Sequence, residues 1–304
     1  MKLHPLFAYS ASLLLLASLS VPAVAGVPSA PTTMEVDALT QALTPEVSFR
    51  YDYDFPMDLE GAHGDYAMQE YRAAVPLPPV LTEEFKLIAS LNYRVFDTAI
   101  DTDVLEGDFD LHSFRLPIQA GWLSSSTPWV AIAYLEPGFS TDYNVLNGDS
   151  FDLIAGVGAG YRFSPHLFVV LGAGYSRNYG EDALFPGLVV LWKPCEHFSL
   201  TLSPDGIVPE WRINDDWRVK AKAELIGGRW TLEDAAGRAR ELQLEGGSVT
   251  FSVERRLLEK CWMSLGVGFN TLANLRIEDG NNRELLDRDL EEGLVLRTAL
   301  KWVF

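Results

Sequence analysis

Beyond its first 25 residues the chain has no apolar run approaching the ~20 residues that a membrane-spanning helix needs. Helical membrane architectures are therefore excluded. Cations are scarce, with 24 Lys and Arg against 42 Asp and Glu and a formal net charge of −18. That balance excludes nucleic acid as a partner and argues against a polybasic membrane-surface protein. Cysteine is nearly absent: Cys195 and Cys261 suit an oxidising compartment but cannot make a disulfide framework. Histidine is sparse too, which bears on catalysis below.

The first 25 residues are a different kind of segment. Lys2 precedes the apolar "SASLLLLASL", and Ala23-Val24-Ala25 forms a small-residue cleavage pattern. This pattern predicts a cleaved secretory signal peptide over 1–25. No Cys follows the expected cut, so lipid anchoring is not suggested. Residues 26–44 carry Pro, Thr and Ala with little periodicity and are expected to be a flexible periplasmic tether.

From residue 45 the dominant signal has period two. Val47, Phe49, Tyr51 and Tyr53 alternate with Ser48, Arg50, Asp52 and Asp54; the same rule recurs at 85–95, 151–163, 167–175 and 217–225. Such alternation predicts strands with one apolar and one polar or small face. The connections fall into two length classes. "SPH", "KPCEH" and "RRLLEK" are short, whereas "DTAIDTDVLEGD", "EPGFSTDYNVLNGDS", "GGRWTLEDAAGRARE" and "EDGNNRELLDRDLEEG" are long and acidic or Gly-rich. Transmembrane barrels sort their connections this way, with short periplasmic turns and long outer loops.

Thirteen strands are marked near 46–54, 66–76, 85–96, 108–122, 128–136, 150–163, 167–177, 187–193, 197–203, 217–230, 242–254, 261–275 and 293–304. "GIVPEWRI" (206–213) supplies a short fourteenth, as parity requires if both ends are periplasmic. The expected fold is all-β: a closed antiparallel transmembrane up-and-down β-barrel of about 14 strands over 45–304, with 12 the alternative. Closure removes the open sheet edges that hydrocarbon does not tolerate. The last strand, "GLVLRTALKWVF", must therefore pair with residues 46–54.

This phase sends Arg50, Arg94, Arg115, Lys220, Lys222, Glu224, Arg297 and Lys301 into the lumen. They could line a water-filled, anion-tolerant path or form a salt-bridge network that plugs the barrel; the sequence leaves both open. A hairpin closed at "SPH" places Gly156 opposite Gly174 and Gly158 opposite Gly172, all facing inward. This patch could widen a pore or seat a ligand, but relief of crowding is the favoured reading, since strand glycines mark curvature and close approach. Aromatics such as Tyr51, Tyr93, Trp122, Trp129, Tyr161, Trp192 and Trp302 fall near strand ends, as girdles require. Leu300, Trp302 and Phe304 resemble the C-terminal signature by which bacterial outer-membrane barrels are recognised for assembly. The expected surroundings are outer-membrane lipid and lipopolysaccharide, with the barrel-assembly machinery as a partner in biogenesis.

No catalytic constellation emerges. His63, His166 and His197 sit in loops or turns, and His112 shares a face with Phe114, opposite to its neighbour Ser113. The acidic "EDGNNRELLDRDLEEG" lacks the spacing of an EF-hand loop. No metal, cofactor or enzymatic activity is expected. Cys195 and Cys261 lie near different turns about four strands apart, far beyond the ~7 Å Cα limit for a disulfide.

The blocks "DLHSFRLPIQAGW", "RFSPHLFVVLGAGYSRNYG" and "LFPGLVVLWKPCEHFSLTLSPDGIVPEWRINDDWRVKAKAELIGG" resemble an uncharacterised family of outer-membrane β-barrels known only as a domain of unknown function. The resemblance spans most of 45–304 and is most specific at 185–230. It implies the fold and an outer-membrane location, and carries no catalytic residue or substrate. The leading expectation is a passive channel or structural envelope protein. The alternatives are a barrel-embedded hydrolase and a surface binding protein acting through acidic outer loops, chiefly residues 278–292, whose removal would leave the barrel intact.

Overall fold

The computed structural model describes residues 45–123, 126–177, 182–281 and 283–303. The expected signal peptide and tether (1–44) and the terminal Phe304 lie outside the described residues. The strands are β1 (Glu46–Asp58), β2 (Asp65–Pro76), the short β3 (Val80–Leu81), β4 (Phe85–Asp101), β5 (Glu106–Arg115), β6 (Ile118–Leu123), β7 (Trp129–Thr141), β8 (Phe151–Ser164) and β9 (Leu167–Ser176). They continue as β10 (Ala183–Cys195), β11 (Phe198–Ser203), β12 (Gly206–Arg212), β13 (Trp217–Glu233), β14 (Ala239–Leu258), β15 (Cys261–Asp279), β16 (Glu284–Asp289) and β17 (Gly293–Val303). A 3-10 turn at Gly148–Ser150 precedes β8.

The described residues build a wall of fourteen strand positions. β5 and β6 share one register against both β4 and β7, interrupted where Pro117 has no N–H to give the ladder. β16 and β17 likewise occupy one position beside β15, and β2 and β3 one position beside β4. Neighbouring strands run antiparallel, and the ring closes between β1 and β17, from Glu46↔Val303 to Asp54↔Val295. The last strand thus seals the first, as expected. Gly156 pairs with Gly174 and Gly158 with Gly172, which fixes the β8–β9 hairpin in its expected register.

The long acidic connections depart from expectation. Most of their residues are strand: β4 runs on to Asp101, β7 to Thr141 and β13 to Glu233, while Glu284–Asp289 of the acidic 278–292 segment is β16. Alternation continues there with its meaning reversed. On β4, outward Phe85, Leu87, Leu91 and Tyr93 give way to Asp97, while the inner face changes from Arg94 to buried Phe96 and Ile100. Above the hydrocarbon, water lies outside the wall and an apolar core fills it. Acidic residues facing outward therefore do not mark loops.

That core joins Met57, Leu59, Tyr66, Met68, Phe96, Leu111, Trp230, Leu242, Leu275 and Leu290, among others. Bulges redirect chains into it. β1 slips register between Asp54 and Met57, around Pro56, which turns Met57 inward onto Gly293, where any Cβ would strike its side chain. β15 bulges between Thr271 and Asn274, with Leu272 at φ +53°, and brings Ala273, Leu275 and Ile277 inward. Because Leu290 belongs to this core, removing 278–292 would breach it, contrary to the expectation of an intact barrel. At its top β7 remains paired with β5 through His112↔Thr141, and on its other edge Thr141 pairs parallel with Thr231 of β13, beyond β8 to β12 in the ring.

Candidate functional site: the barrel interior

Below the apolar core the interior is ionic on one side. Arg297 of β17 donates to Asp52 of β1 at 3.1 Å and to Glu224 of β13 at 2.6 Å. β13 and β17 are separated by β14 and β15, so this bridge crosses the interior rather than running along the wall. Arg50 pairs with Asp52 and approaches Glu224 at 4.0 Å, and Lys222 also pairs with Glu224. Glu70 of β2 takes Arg72 at 2.9 Å and Arg94 at 2.7 Å. Lys220 lies between Glu210, 3.1 Å away, and Glu254, 3.0 Å away.

A second cluster sits on β5, β7 and β8. Arg115 reaches Glu136 at 3.0 Å and Asp152 at 3.3 Å, and the Ser140 hydroxyl donates to Asp152 at 2.9 Å. Lys301, near the end of the barrel that carries the short turns, has Glu46 at 4.0 Å. Every charged residue assigned to the lumen from sequence thus has an opposite charge within salt-bridge distance. This pairing limits the desolvation cost of holding charges in a confined space. The sequence named these residues but not their pairing: Arg50–Asp52 and Lys222–Glu224 lie two residues apart on one strand, whereas Arg297–Glu224 and Arg115–Asp152 join strands that are not neighbours in the wall. Arg94 carries the network upward: its guanidinium lies 4.6 Å from the Phe96 ring centre, and Phe96 is part of the core.

Apart from Glu136 and Asp152 at its upper end, the glycine-rich middle of the β7–β10 side is apolar. Inner Val170 occupies the space where a Cβ at Gly158 would lie, at 2.7 Å, and Phe168 does the same at Gly160, at 2.9 Å. Phe185 of β10 covers Gly174, and a Cβ at Gly172 would strike the Val157 carbonyl. A Cβ at Gly156 would meet nothing closer than 3.5 Å. Gly158, Gly160 and Gly174 let neighbouring large side chains lie flat on the wall, Gly172 lies against backbone, and Gly156 is not crowded. Val130, Phe168 and Val170, with Ile132, Val189 and Leu191, form a second apolar cluster there.

The β11–β12 hairpin turns at Pro204-Asp205, and the Asp205 carboxylate lies within electrostatic range of Lys222, Glu136, Glu224 and Arg72 on three different strands. The hairpin tip thus reaches the interior between the ionic and the glycine-rich sides.

His112 lies outside the lumen. Its Nδ1 is 2.8 Å from the Tyr93 hydroxyl, and its ring stacks on Tyr143 at 4.4 Å between centres. These rings sit where outward leucines give way to Asp97 and Asp110, as an outer aromatic girdle should. Ser113 faces inward and shares a hydrogen bond with Ser140 at 3.0 Å. Trp129–Tyr161, Tyr161–Phe163, Trp192–Phe198 and Phe198–Trp211 contacts form the lower girdle. Leu300 and Trp302 are exposed on the outer face of β17. Cys195 and Cys261 are free thiols. Among the described residues no group of His, Cys, Asp and Glu is arranged to hold a metal ion.

A family model described as a domain of unknown function (DUF6268) matches residues 122–302. Of the blocks that carried the resemblance, "DLHSFRLPIQAGW" meets this range only at its last residue. Among solved structures, the chain is similar to an outer-membrane channel from Pseudomonas putida F1, with a TM-score of 0.47 and 10% identity over 86% of this chain and 96% of that one. It is also similar to the P. putida toluene transporter TodX (TM-score 0.40, 11% identity, 86% and 90% covered) and to the KdgM porin (0.38, 7%, 85% and 99%). No curated protein matches the chain.

Proposed function

The chain belongs to the DUF6268 family, and we propose that its barrel acts as a passive outer-membrane channel for small solutes. The observation that carries this reading is the division of the interior. The charges are gathered into paired clusters, while the β7–β10 side is kept smooth by glycines under flat-lying apolar side chains. Such a wall offers an amphipathic route with no strong binding group to hold a solute, which suits passage without chemistry. On this reading the barrel resides in lipid faced by lipopolysaccharide, and outward Leu300 and Trp302 belong to the surface offered to the assembly machinery. The hydrolase alternative loses support because His112 faces away from the interior and Ser113 is engaged by Ser140.

A structural envelope role is the second reading, favoured by the apolar core that fills the upper end between β13 and β5. Conductance of the purified, heat-modifiable barrel in planar bilayers separates the two. Discrete steps of small conductance are expected for the channel. A folded barrel that passes no current and admits no small sugar in liposome swelling would leave the structural role.

A further inference from the structure

Among the described residues the wall is incomplete between β10 and β13. β11 and β12 are six and seven residues long, whereas their neighbours β10 and β13 have thirteen and seventeen. β10 pairs with β11 only from Val190 downward, and β12 reaches β13 only up to Glu224. Residues 183–189 of β10 therefore pair with β9 alone, and residues 225–230 of β13 with β14 alone. Above the hairpin no described residue continues these two strand positions, which leaves a gap of up to about 14 Å between strand axes at three regular inter-strand spacings.

The gap lies at lipid depth. Trp192 marks the lower girdle on β10, and tilted strands climb about 2.5 Å per residue, so residues 183–189 sit roughly 8–23 Å above it, within an apolar band about 25 Å tall. Their outward side chains agree: Leu184 is 76% exposed, and Leu225 across the gap is 44% exposed. Unpaired backbone at this depth is tolerated only where it is buried in protein or meets water. The gap must then be continuous with a hydrated interior.

Its frame is held. Below, Gly206 at φ +148° lets the turn pack on the Ala223 carbonyl, where any Cβ would clash. Above, the β7–β8 connection crosses to β13. The Thr231 amide oxygen accepts from Asp142 N at 3.0 Å, Ser150 and Thr231 hydroxyls meet at 2.6 Å, and Asp149 bridges Arg177 at 3.6 Å and Arg229 at 3.3 Å. Behind the frame lie Phe185, Gly187 and Val189 of β10, on the glycine-rich side of the interior.

We propose that this gap is a lateral opening through which an uncharged, mostly apolar small molecule passes between the lumen and the surrounding bilayer. The inference rests on the channel reading above and adds the direction of transport and the class of solute. Straight exit past β13–β5 is obstructed by the apolar core, whereas the gap adjoins the apolar half of the lumen.

The test uses Gly187→Trp, which adds an inward ring at the rim. A Cβ there meets only ordinary contacts, the nearest at 3.6 Å on Gly172. Leu188→Trp, facing lipid on the same strand, is the control. Both full-length variants are checked for heat-modifiable mobility. Uptake of the uncharged fluorophore N-phenyl-1-naphthylamine is then measured in cells with an intact lipopolysaccharide leaflet, and ionic conductance in planar bilayers. The expected result is a several-fold loss of fluorophore uptake for Gly187→Trp alone, with conductance retained. Unchanged fluorophore uptake, or equal loss of uptake and conductance, would overturn the lateral route while leaving the channel. Wild-type protein that conducts nothing would overturn both. If Gly187→Trp does not fold, lengthening the β11–β12 turn by four residues to extend the wall replaces it, with the same outcomes.

Discussion

Phe96 on β4 meets Trp230 on β13 edge to face, 4.8 Å between ring centres, although the two strands are well separated around the ring. The contact shows that the upper barrel is rolled tightly on this side until opposite walls touch. Trp230 is 2% exposed. Replacing it by Ala removes a large buried aromatic and should cost about 3–5 kcal/mol. The expected outcome is a lower unfolding midpoint in urea-titrated lipid vesicles together with a larger single-channel conductance, because the obstruction loosens. A variant as stable as wild type would mean that the core does not support the upper wall.

Arg297 and Glu224 form an interior bridge between β17 and β13, with β14 and β15 between them in the wall. Glu224→Gln leaves a confined guanidinium short of one counter-charge, a loss of about 3 kcal/mol where a buried pair is broken. The paired change Glu224→Gln with Arg297→Met should cost less than the sum of the two single changes. A double-mutant cycle on unfolding free energy reads the coupling. Additive costs would mean that the two side chains act independently.

The glycines differ in what they tolerate. A Cβ at Gly172 strikes the Val157 carbonyl, whereas one at Gly187 has room. Gly172→Ala should therefore reduce the yield of heat-modifiable barrel on refolding, while Gly187→Ala should not. Equal yields would show that backbone approach between β8 and β9 does not depend on glycine at 172.

The turn between β13 and β14 is organised by Asp234. Burial works to raise its carboxyl pKa, but amide donors from Arg238 and Ala236 and the Arg238 guanidinium outweigh this and hold it below the ordinary carboxylate range. A depressed pKa in the folded state means that the carboxylate stabilises the turn above the ordinary Asp value of ~3.9 and ceases to as pH falls through the lower folded value. Amide exchange at Ala236 and Arg238 should stay slow through mildly acidic pH and accelerate only below about pH 4. In Asp234→Asn exchange should be faster and lack that pH step.

Much of this molecule was legible in its residues. Closure of β17 on β1, the Gly158↔Gly172 register and the inward charges all follow from period-two alternation, a local property. The apolar core was not legible, although its residues stood in plain view in "GGRWTLED" and "DTAIDTD". Outside the hydrocarbon the apolar face turns inward and the acidic face outward, so the same alternation reads as a polar loop. Bulges at Phe55-Pro56 and Leu272 break the phase at the very point of change. The short "SPDG" hairpin was visible as a weak strand pair, but a missing stretch of wall appears only when its neighbours are known to climb past it. The contacts of Thr231 with Thr141 and Ser150 carry no sequence signal, since nothing local links residues so far apart in the chain.

The closed wall itself is tested most directly by a cross-link between its first and last strands. In a Cys195→Ser, Cys261→Ser background, Phe49→Cys and Leu300→Cys stand directly opposite in the β1–β17 register, within disulfide reach for paired strands. Mild oxidation of protein assembled in the outer membrane should join them, and shifting one cysteine to the inward-facing Arg297 position should abolish the bond. Failure of the 49–300 pair to form, or equal bonding from position 297, would contradict a cylinder sealed by its final strand.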